Sequence, residues 1–356
     1  MKTKVPVMED VSNDGMRDYH RRNKRKAALI VTGTALVLIA IVISTMMIGK
    51  YPLSFGEIVG MLTGTHYDDT DNYILFETRI PRILCCVLVG AALSCAGLVM
   101  QSLFKNPMAS PSVLGISNGA AFGASLAIAF GVGSVFGGFA VPIMAFLFCC
   151  LTMVLVYVLG RTKYGVSPVT LLLAGVAVGA FFNGMVSLMQ YVVEDDVLAS
   201  IVYWTMGSFN GCGWTSFFTA AIPISIGLIM MMLCRRELNL ISAGETQAAN
   251  LGVDVKTIRI VLIVSTSLVV GGSVAISGVI GFVGLIVPHI FRMLAGSDHK
   301  LLMPLCILGG GAFMLVMDTI SRMAFETALP VGVLTSLLGA PFFVYVMRKR
   351  SRDVWE

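Results

Sequence analysis

The run IVLIVSTSLVVGGSVAISGVIGFVGLIVPHIF, residues 260–291, is 32 residues long and carries no formal charge when His289 is neutral. As one α-helix it would be about 48 Å long, whereas the hydrocarbon core of a bilayer is about 30 Å thick. The run is therefore too long for a single membrane crossing. It predicts two membrane helices, with a break at Gly271-Gly272 or at Ser277-Gly278.

The rest of the chain has the same apolar character. Its 356 residues are 56% hydrophobic and 13% charged, whereas an ordinary soluble protein is about 25% charged. This composition excludes a soluble enzyme and a disordered protein, and it predicts an all-α polytopic membrane protein with ten transmembrane helices. The other eight apolar runs are 27–49, 83–103, 112–130, 139–159, 168–193, 216–234, 302–321 and 331–347.

Basic residues predict the orientation of these helices. With ten spans and both termini in the cytoplasm, 21 of the 25 Lys and Arg residues fall in cytoplasmic segments, as the positive-inside rule requires. The ten-helix domain is then 27–348, between a basic cytoplasmic tail at 1–26 and a second cytoplasmic tail at 349–356. Its longest cytoplasmic segment is 235–259.

Only four basic residues remain for the outer side, and these are Lys50, Arg79, Arg82 and Arg322. Asp318 is the one carboxylate within a span, and Arg322 follows it by four residues on the same helix face, which predicts a structural ion pair. A proton relay at Asp318, as in an ion-coupled carrier, is the alternative. The outer arginines either snorkel or pair locally, or form a basic ring that binds an acidic partner.

A short helix outside the membrane is predicted within the segment 235–259. Ser242 and Glu245 have the spacing of a capping box, and Gly252 is placed as a C-terminal stop. The helix is either a connector on the bilayer surface or a docking element for a cytoplasmic partner. Its residues are Ser242, Glu245, Thr246, Gln247, Ala248, Ala249, Asn250, Leu251 and Gly252.

Glycines recur at the spacing that lets transmembrane helices pack closely. The candidates for helix packing are Gly115, Gly119, Gly123, Gly175, Gly179, Gly278, Gly281 and Gly284. The eight cysteines form no C-x-x-C, and the four histidines are scattered, so we predict no metal site, no cofactor and no catalytic residue. The chain also lacks G-x-x-x-x-G-K-[ST], so any ATP that drives it must be bound by another chain.

Several ordered motifs resemble those of the FecCD-type permeases. They begin with Arg79-Ile-Pro-Arg82, Gly97-x-x-x-Gln101 and Lys105-Asn-Pro-Met-Ala-Ser-Pro111, and continue with Gly244-Glu-x-x-Ala-x-x-Leu-Gly252, with Ser277-Gly-x-Ile-Gly-Phe-Val-Gly-Leu-Ile-Val-Pro-His289-x-x-Arg292 and with Leu329-Pro-Val-Gly332. The similarity extends from about residue 30 to 348, nearly the whole chain.

This resemblance implies the membrane subunit of an ABC importer in a bacterial or archaeal cytoplasmic membrane. Such a subunit pairs with a second copy or a paralogue, with two cytoplasmic ATP-binding subunits and with an extracytoplasmic substrate-binding protein. The cargo it implies first is a ferric siderophore, with haem or cobalamin as alternatives, and transport proceeds by alternating access.

The resemblance also assigns roles to residues of this sequence. The helix at 242–252 matches the segment that sits in a groove of the ATPase. Arg79, Arg82 and Arg322 match the outer arginines that meet carboxylates of the binding protein. No nucleic acid is implied as a partner.

Overall fold

The computed structural model describes residues 13–64, 68–131, 138–162, 165–324 and 327–355, which are mostly helical. Residues Tyr73–Arg79 form a π-helical turn, and the strands β1 (Arg161–Thr162) and β2 (Gly165–Val166) pair in antiparallel orientation. The fold is that of an all-α polytopic membrane protein. Its helices are α1 Asn13–Met47, α2 Phe55–Leu62, α3 Asp69–Asn72, α4 Ile80–Leu103, α5 Ile116–Ala129, α6 Ala140–Leu159, α7 Pro168–Val192, α8 Asp195–Thr205, α9 Trp214–Leu233, α10 Arg235–Ala243, α11 Glu245–Asn250, α12 Val255–Ser277, α13 Val283–Ala295, α14 His299–Met323 and α15 Val331–Trp355.

Seven helical stretches in the described part of the chain are long and apolar enough to cross a membrane. They are α1, the continuous stretch from α3 to α4, and α6, α7, α9, α12 and α14. Three further apolar helices are shorter, namely α5, α13 and the first part of α15, Val331–Tyr345. The total of ten transmembrane helices therefore stays a prediction.

The long apolar run breaks at the second of the two predicted places. Helix α12 ends at Ser277, and Gly278 has φ +65°, a conformation that strains any residue with a Cβ atom. The chain then turns into α13, whose first helical residue is Val283. Gly271 and Gly272 lie inside α12, where they make room for Phe146 and for Ile224 and Pro223 of neighbouring helices.

Helix α4 lies at the centre of the bundle, and nearly all of its side chains are buried. It packs against α14 where Gly90 meets Gly310, and against α13 where Gly97 meets Gly284. A Cβ atom at position 97 would lie 1.9 Å from the carbonyl oxygen of Gly284. These glycines therefore set how closely α4 approaches its two neighbours.

Most of the predicted packing glycines lie at such contacts, but they serve different helices. Gly115 meets Gly175 and Gly179 of α7, whereas Gly119 and Gly123 of α5 face α6. Gly278 and Gly284 also make close backbone contacts.

Gly281 does not make a close contact. The nearest atom to a Cβ there would be the Ser336 hydroxyl oxygen at 3.9 Å, which is an ordinary distance. The three-residue recurrence at 278–284 is thus not one packing face, because the chain is not helical between Gly278 and Phe282.

Both predicted cytoplasmic tails are partly helical. Helix α1 begins at Asn13, so residues 13–26 extend the first membrane helix. Residues 1–12 of that tail lie outside the described part. At the other end α15 runs to Trp355 and takes in most of the predicted tail, with Glu356 outside the described part.

Candidate functional site

A cleft of about 330 Å³ opens between the loop after α1, the π-helical turn and the end of α14. Its lining includes Lys50, Arg79, Arg82 and Arg322, the four basic residues that the sequence analysis assigned to the outer side. They come from separate parts of the chain, and together they concentrate positive charge at one end of the bundle. We call this site the basic cleft.

Asp318 supplies the counter-charge of the basic cleft, and it is only 1% exposed. Arg82 of α4 holds its carboxylate with two bonds, from Nη2 to Oδ1 at 2.8 Å and from Nε to Oδ2 at 3.0 Å. Arg322 Nε donates to Oδ2 at 3.1 Å. The pair of Asp318 and Arg322 is thus present, but the bidentate partner of Asp318 is Arg82 on another helix. Two guanidinium groups share this carboxylate, which leaves them with a net positive charge.

Arg79 is buried and holds the backbone around the cleft. Its two terminal nitrogens donate to the carbonyl oxygens of Met46 and Tyr51, and its guanidinium lies against Gly49. Arg79 therefore fixes the loop that leaves α1. Of the three arginines matched to a docking role, Arg79 and Arg82 are committed to bonds within the chain.

Arg322 keeps the most freedom to meet a partner. Its side chain is 18% exposed, compared with 14% for Arg82. Among the described residues, only its Nε has a hydrogen-bond partner, so its two terminal nitrogens can still donate.

The segment 235–259, named here the coupling segment, contains two short helices. Gly244 separates α10 from α11, and its backbone N–H donates to the carbonyl oxygen of Leu240. Helix α11 ends in a Schellman motif, in which Val253 N–H donates to Ala248 O and Gly252 N–H to Ala249 O. Gly252 has φ +84° and ends the helix as predicted.

The predicted capping box at Ser242 and Glu245 is wrong. Ser242 lies inside α10, where its hydroxyl donates to Leu238 O, and the N-cap of α11 is Gly244, which has no side chain. Glu245 is the first residue of α11 and accepts a bond from Arg259 of α12 at 2.6 Å. Helix α11 is thus oriented by an ion pair to α12 at its start and by a glycine at its end.

The exposed face of α11 is where a partner could bind. Leu251 is 68% exposed, while Ala248 is fully buried. Ala248 therefore packs inward, although it lies within the predicted docking stretch. The exposed residues of that stretch are Thr246, Gln247, Ala249, Asn250, Leu251 and Gly252.

Asp254 fixes the start of α12 directly after this face. Its carboxylate accepts bonds from the Thr257 hydroxyl at 2.6 Å and from the backbone N–H groups of Lys256 and Thr257. The bonds from Thr257 outweigh the opposing effect of burial and hold the pKa of Asp254 below its ordinary value. The cap therefore persists at neutral pH.

Residues of two separate motifs meet beside the contact of Gly97 and Gly284. Gln101 Nε2 donates to Gly284 O at 3.0 Å, and Arg292 Nη1 donates to Gln101 Oε1 at 3.1 Å. The motifs around Gly97 and Gly284 thus form one contact between α4 and α13. Both motifs are visible in the sequence, but their contact depends on the packing of α4 on α13.

Within the described ranges, no group of three or more His, Cys, Asp or Glu side chains is arranged to hold a metal ion. The eight cysteines are free thiols, and all but Cys150 are buried.

The fold is that of a polytopic membrane protein, and known sequences show which family of membrane proteins it belongs to. A sequence profile of the FecCD transport family matches residues 36–349. The chain belongs to the FecCD transport family, and it is a multi-pass permease subunit of an ABC importer of a bacterial or archaeal cell membrane. In this class of importer, ATP is hydrolysed by a separate subunit.

The similarity of this chain to known relatives and to a solved structure extends over nearly its whole length. The molybdate import system permease MolB of Haemophilus influenzae is 36% identical over 328 residues, which cover 91% of this chain and 96% of MolB. The hemin transport system permease HmuU of Yersinia pestis is 36% identical over 335 residues, which cover 93% of this chain and 99% of HmuU. A solved structure of a metal-chelate type ABC transporter in an inward-facing conformation is 35% identical in sequence, with a TM-score of 0.80. The match covers 90% of this chain and 99% of the solved chain.

Proposed function

We propose that this subunit imports a metal-chelate complex, with a ferric siderophore as the first candidate and haem or cobalamin as alternatives. The solved structure that resembles this chain is of a metal-chelate type ABC transporter, and one sequence relative is a hemin transport permease. A relative of equal identity carries molybdate, so the overall identity does not select the cargo.

In this proposal the permease works as a dimer, formed with a second copy or a paralogue. A binding protein delivers the cargo at the basic cleft, and two ATPase subunits bind the coupling segments. ATP binding and hydrolysis move these segments and switch which end of the central path is open. The chain contributes movement and no chemistry.

The observation that carries the proposal is the position of the two sites along α14. Asp318 and Arg322, near the C-terminal end of α14, belong to the basic cleft. His299, at its N-terminal end, contacts Asn239 of the coupling segment. The rise of an α-helix puts about 29 Å between positions 299 and 318, which is close to the thickness of the hydrocarbon core. The two sites thus have the separation expected for opposite membrane faces.

The cargo is tested with proteoliposomes that contain this chain, its ATPase and its binding protein. Ferric siderophore, haem, cobalamin and molybdate are offered one at a time with ATP inside the vesicles. We expect uptake of the ferric siderophore well above that of the other three. Preferential uptake of haem or cobalamin would replace the first candidate with an alternative, and preferential uptake of molybdate would contradict the metal-chelate class.

A further inference from the structure

Asn239 connects the coupling segment to the N-terminal end of α14 by three side-chain contacts at hydrogen-bond distance. Its Oδ1 accepts from the backbone N–H of His299 at 2.9 Å and lies 2.6 Å from His299 Nδ1. Its Nδ2 donates to Asp298 Oδ1 at 2.7 Å. The amide oxygen thus faces two donors and the amide nitrogen faces a carboxylate, so only one orientation of the side chain fits.

His299 extends this contact to a third helix. His299 is 3% exposed, and its Nε2 lies 2.6 Å from the hydroxyl of Ser102 on α4. Ser102 is itself only 7% exposed. With Nδ1 protonated, a neutral imidazole donates to Asn239. Its Nε2 is then an acceptor for the one hydroxyl proton of Ser102, and the carbonyl oxygen of Leu98, 2.8 Å from the same hydroxyl, is the other acceptor for that proton. We call Asn239, Asp298, His299 and Ser102 the Asn239 anchor.

Asp298 is held ionised at the edge of the anchor. Burial opposes its negative charge, but bonds from the backbone N–H of Lys300 and from Asn239, together with nearby positive charge, lower its pKa below the ordinary value. The carboxylate also caps the N-terminus of α14. One residue thus fixes both the start of α14 and the amide of Asn239.

The anchor joins the same two helices that meet again at the basic cleft. At one end of the pair, Ser102 of α4 contacts His299 of α14. At the other end, Arg82 of α4 holds Asp318 of α14. Between them, Gly90 and Gly310 bring the two backbones into direct contact. A pair of helices fixed at both ends and closely packed between them moves as one body.

From this arrangement we propose that Asn239 is a positioning residue that transmits movement between the coupling segment and the basic cleft through the α4–α14 pair. This inference rests on the proposed function, because it takes the exposed face of α11 in the coupling segment as the ATPase contact, whereas Asn239 lies in α10. Asn239 touches neither cargo nor nucleotide in this account. Without its side chain, α10 can move while α4 and α14 stay in place.

The test uses the reconstituted complex of permease, ATPase and binding protein, with the variant Asn239→Ala. We expect assembly and basal ATP hydrolysis within about twofold of wild type, while stimulation of hydrolysis by the binding protein and cargo uptake per ATP both fall about tenfold. His299→Ala is expected to have the same effect, and the double variant no larger one, because both residues belong to one anchor. Lys300→Ala, an exposed neighbour outside the anchor, is the matched control.

Hydrogen exchange on the purified complex provides a measurement that needs no cargo. Asn239→Ala should speed amide exchange in 235–243 without changing exchange in α12. Unchanged exchange, or an unchanged ratio of uptake to ATP hydrolysis, would overturn the inference. So would a parallel loss of assembly and hydrolysis, since Asn239 would then serve folding alone. A wild-type complex that hydrolyses ATP but takes up no cargo would contradict the proposed function instead, and the exchange experiment would still test the anchor.

Discussion

At the scale of single residues, the three arginines matched to docking have three different environments. Arg79 donates to the backbone of the loop after α1, and Arg82 holds Asp318 with two bonds. Arg322 uses only Nε within the described part of the chain. A guanidinium that already satisfies several internal acceptors has less to offer a partner. We therefore expect Arg322 to contribute most to binding an acidic surface.

Arg322→Gln tests this assignment. The change removes the positive charge and leaves Asp318 bonded to Arg82, so the fold should persist. We expect the Kd of the binding protein to rise about tenfold, equivalent to about 1.4 kcal/mol, because a charge pair at the interface is lost. The Kd of the wild-type complex should also rise with salt concentration, since exposed charges are screened.

Binding of the detergent-purified permease to immobilised binding protein measures this effect. Lys300→Gln, at the opposite end of α14, is the control and should bind like wild type. An Arg322→Gln variant that keeps its thermal midpoint and its wild-type Kd would show that the basic cleft is not the docking site.

The sequence could predict only the local part of the basic cleft. Asp318 and Arg322 are four residues apart on a helix, and this spacing alone brings them together. Arg82 and Asp318 are 236 positions apart, and no local pattern indicates their contact. The four outer basic residues were found by the charge count, which assigns a membrane side but does not show that they line one cleft.

At the scale of elements, two identical patterns have different outcomes. Ser242 and Glu245 were predicted to form a capping box, but α10 continues through Ser242. Ser54 and Glu57 have the same spacing, and there the box is complete at the start of α2, with Ser54 N–H bonded to Glu57 Oε2 at 2.7 Å. Ser54 has the extended backbone of an N-cap residue, whereas Ser242 is helical within α10.

Helix packing around α4 gives a prediction at the same scale. Gly97→Ala would place a methyl group 1.9 Å from Gly284 O, so α4 and α13 must separate and the contact of Gln101 with Gly284 is lost. We expect a loss of about 1–3 kcal/mol in the free energy of unfolding. The thermal midpoint of the detergent-purified protein should fall accordingly.

Gly184→Ala is the matched control, because this glycine lies inside α7 and no atom lies within 4 Å of a Cβ built there. It should leave the thermal midpoint unchanged or raise it, since alanine favours helices over glycine by about 1 kcal/mol. Equal midpoints for the Gly97 and Gly184 variants would contradict the close packing of α4 on α13.

At the scale of the whole molecule, the sequence was informative where structure depends on local composition. Apolar runs predicted the membrane helices, and excess length predicted a break at one of two places, Gly271-Gly272 or Ser277-Gly278. Only the folded chain shows that the break is at Ser277-Gly278. The short helices α2 and α8 and the π-helical turn before α4 were not predicted, because short segments between spans have no strong periodicity. The Asn239 anchor was also missed, since its residues come from three helices that only the folded bundle brings together.

The energy source of transport distinguishes an ABC importer from an ion-coupled carrier. Uptake of the preferred cargo is followed in proteoliposomes that hold the permease, ATPase and binding protein, with ATP enclosed or absent and with or without ionophores. We expect uptake that requires enclosed ATP and that ionophores do not change. Uptake without ATP that ionophores abolish would show an ion-coupled carrier instead, with Asp318 as the residue to examine.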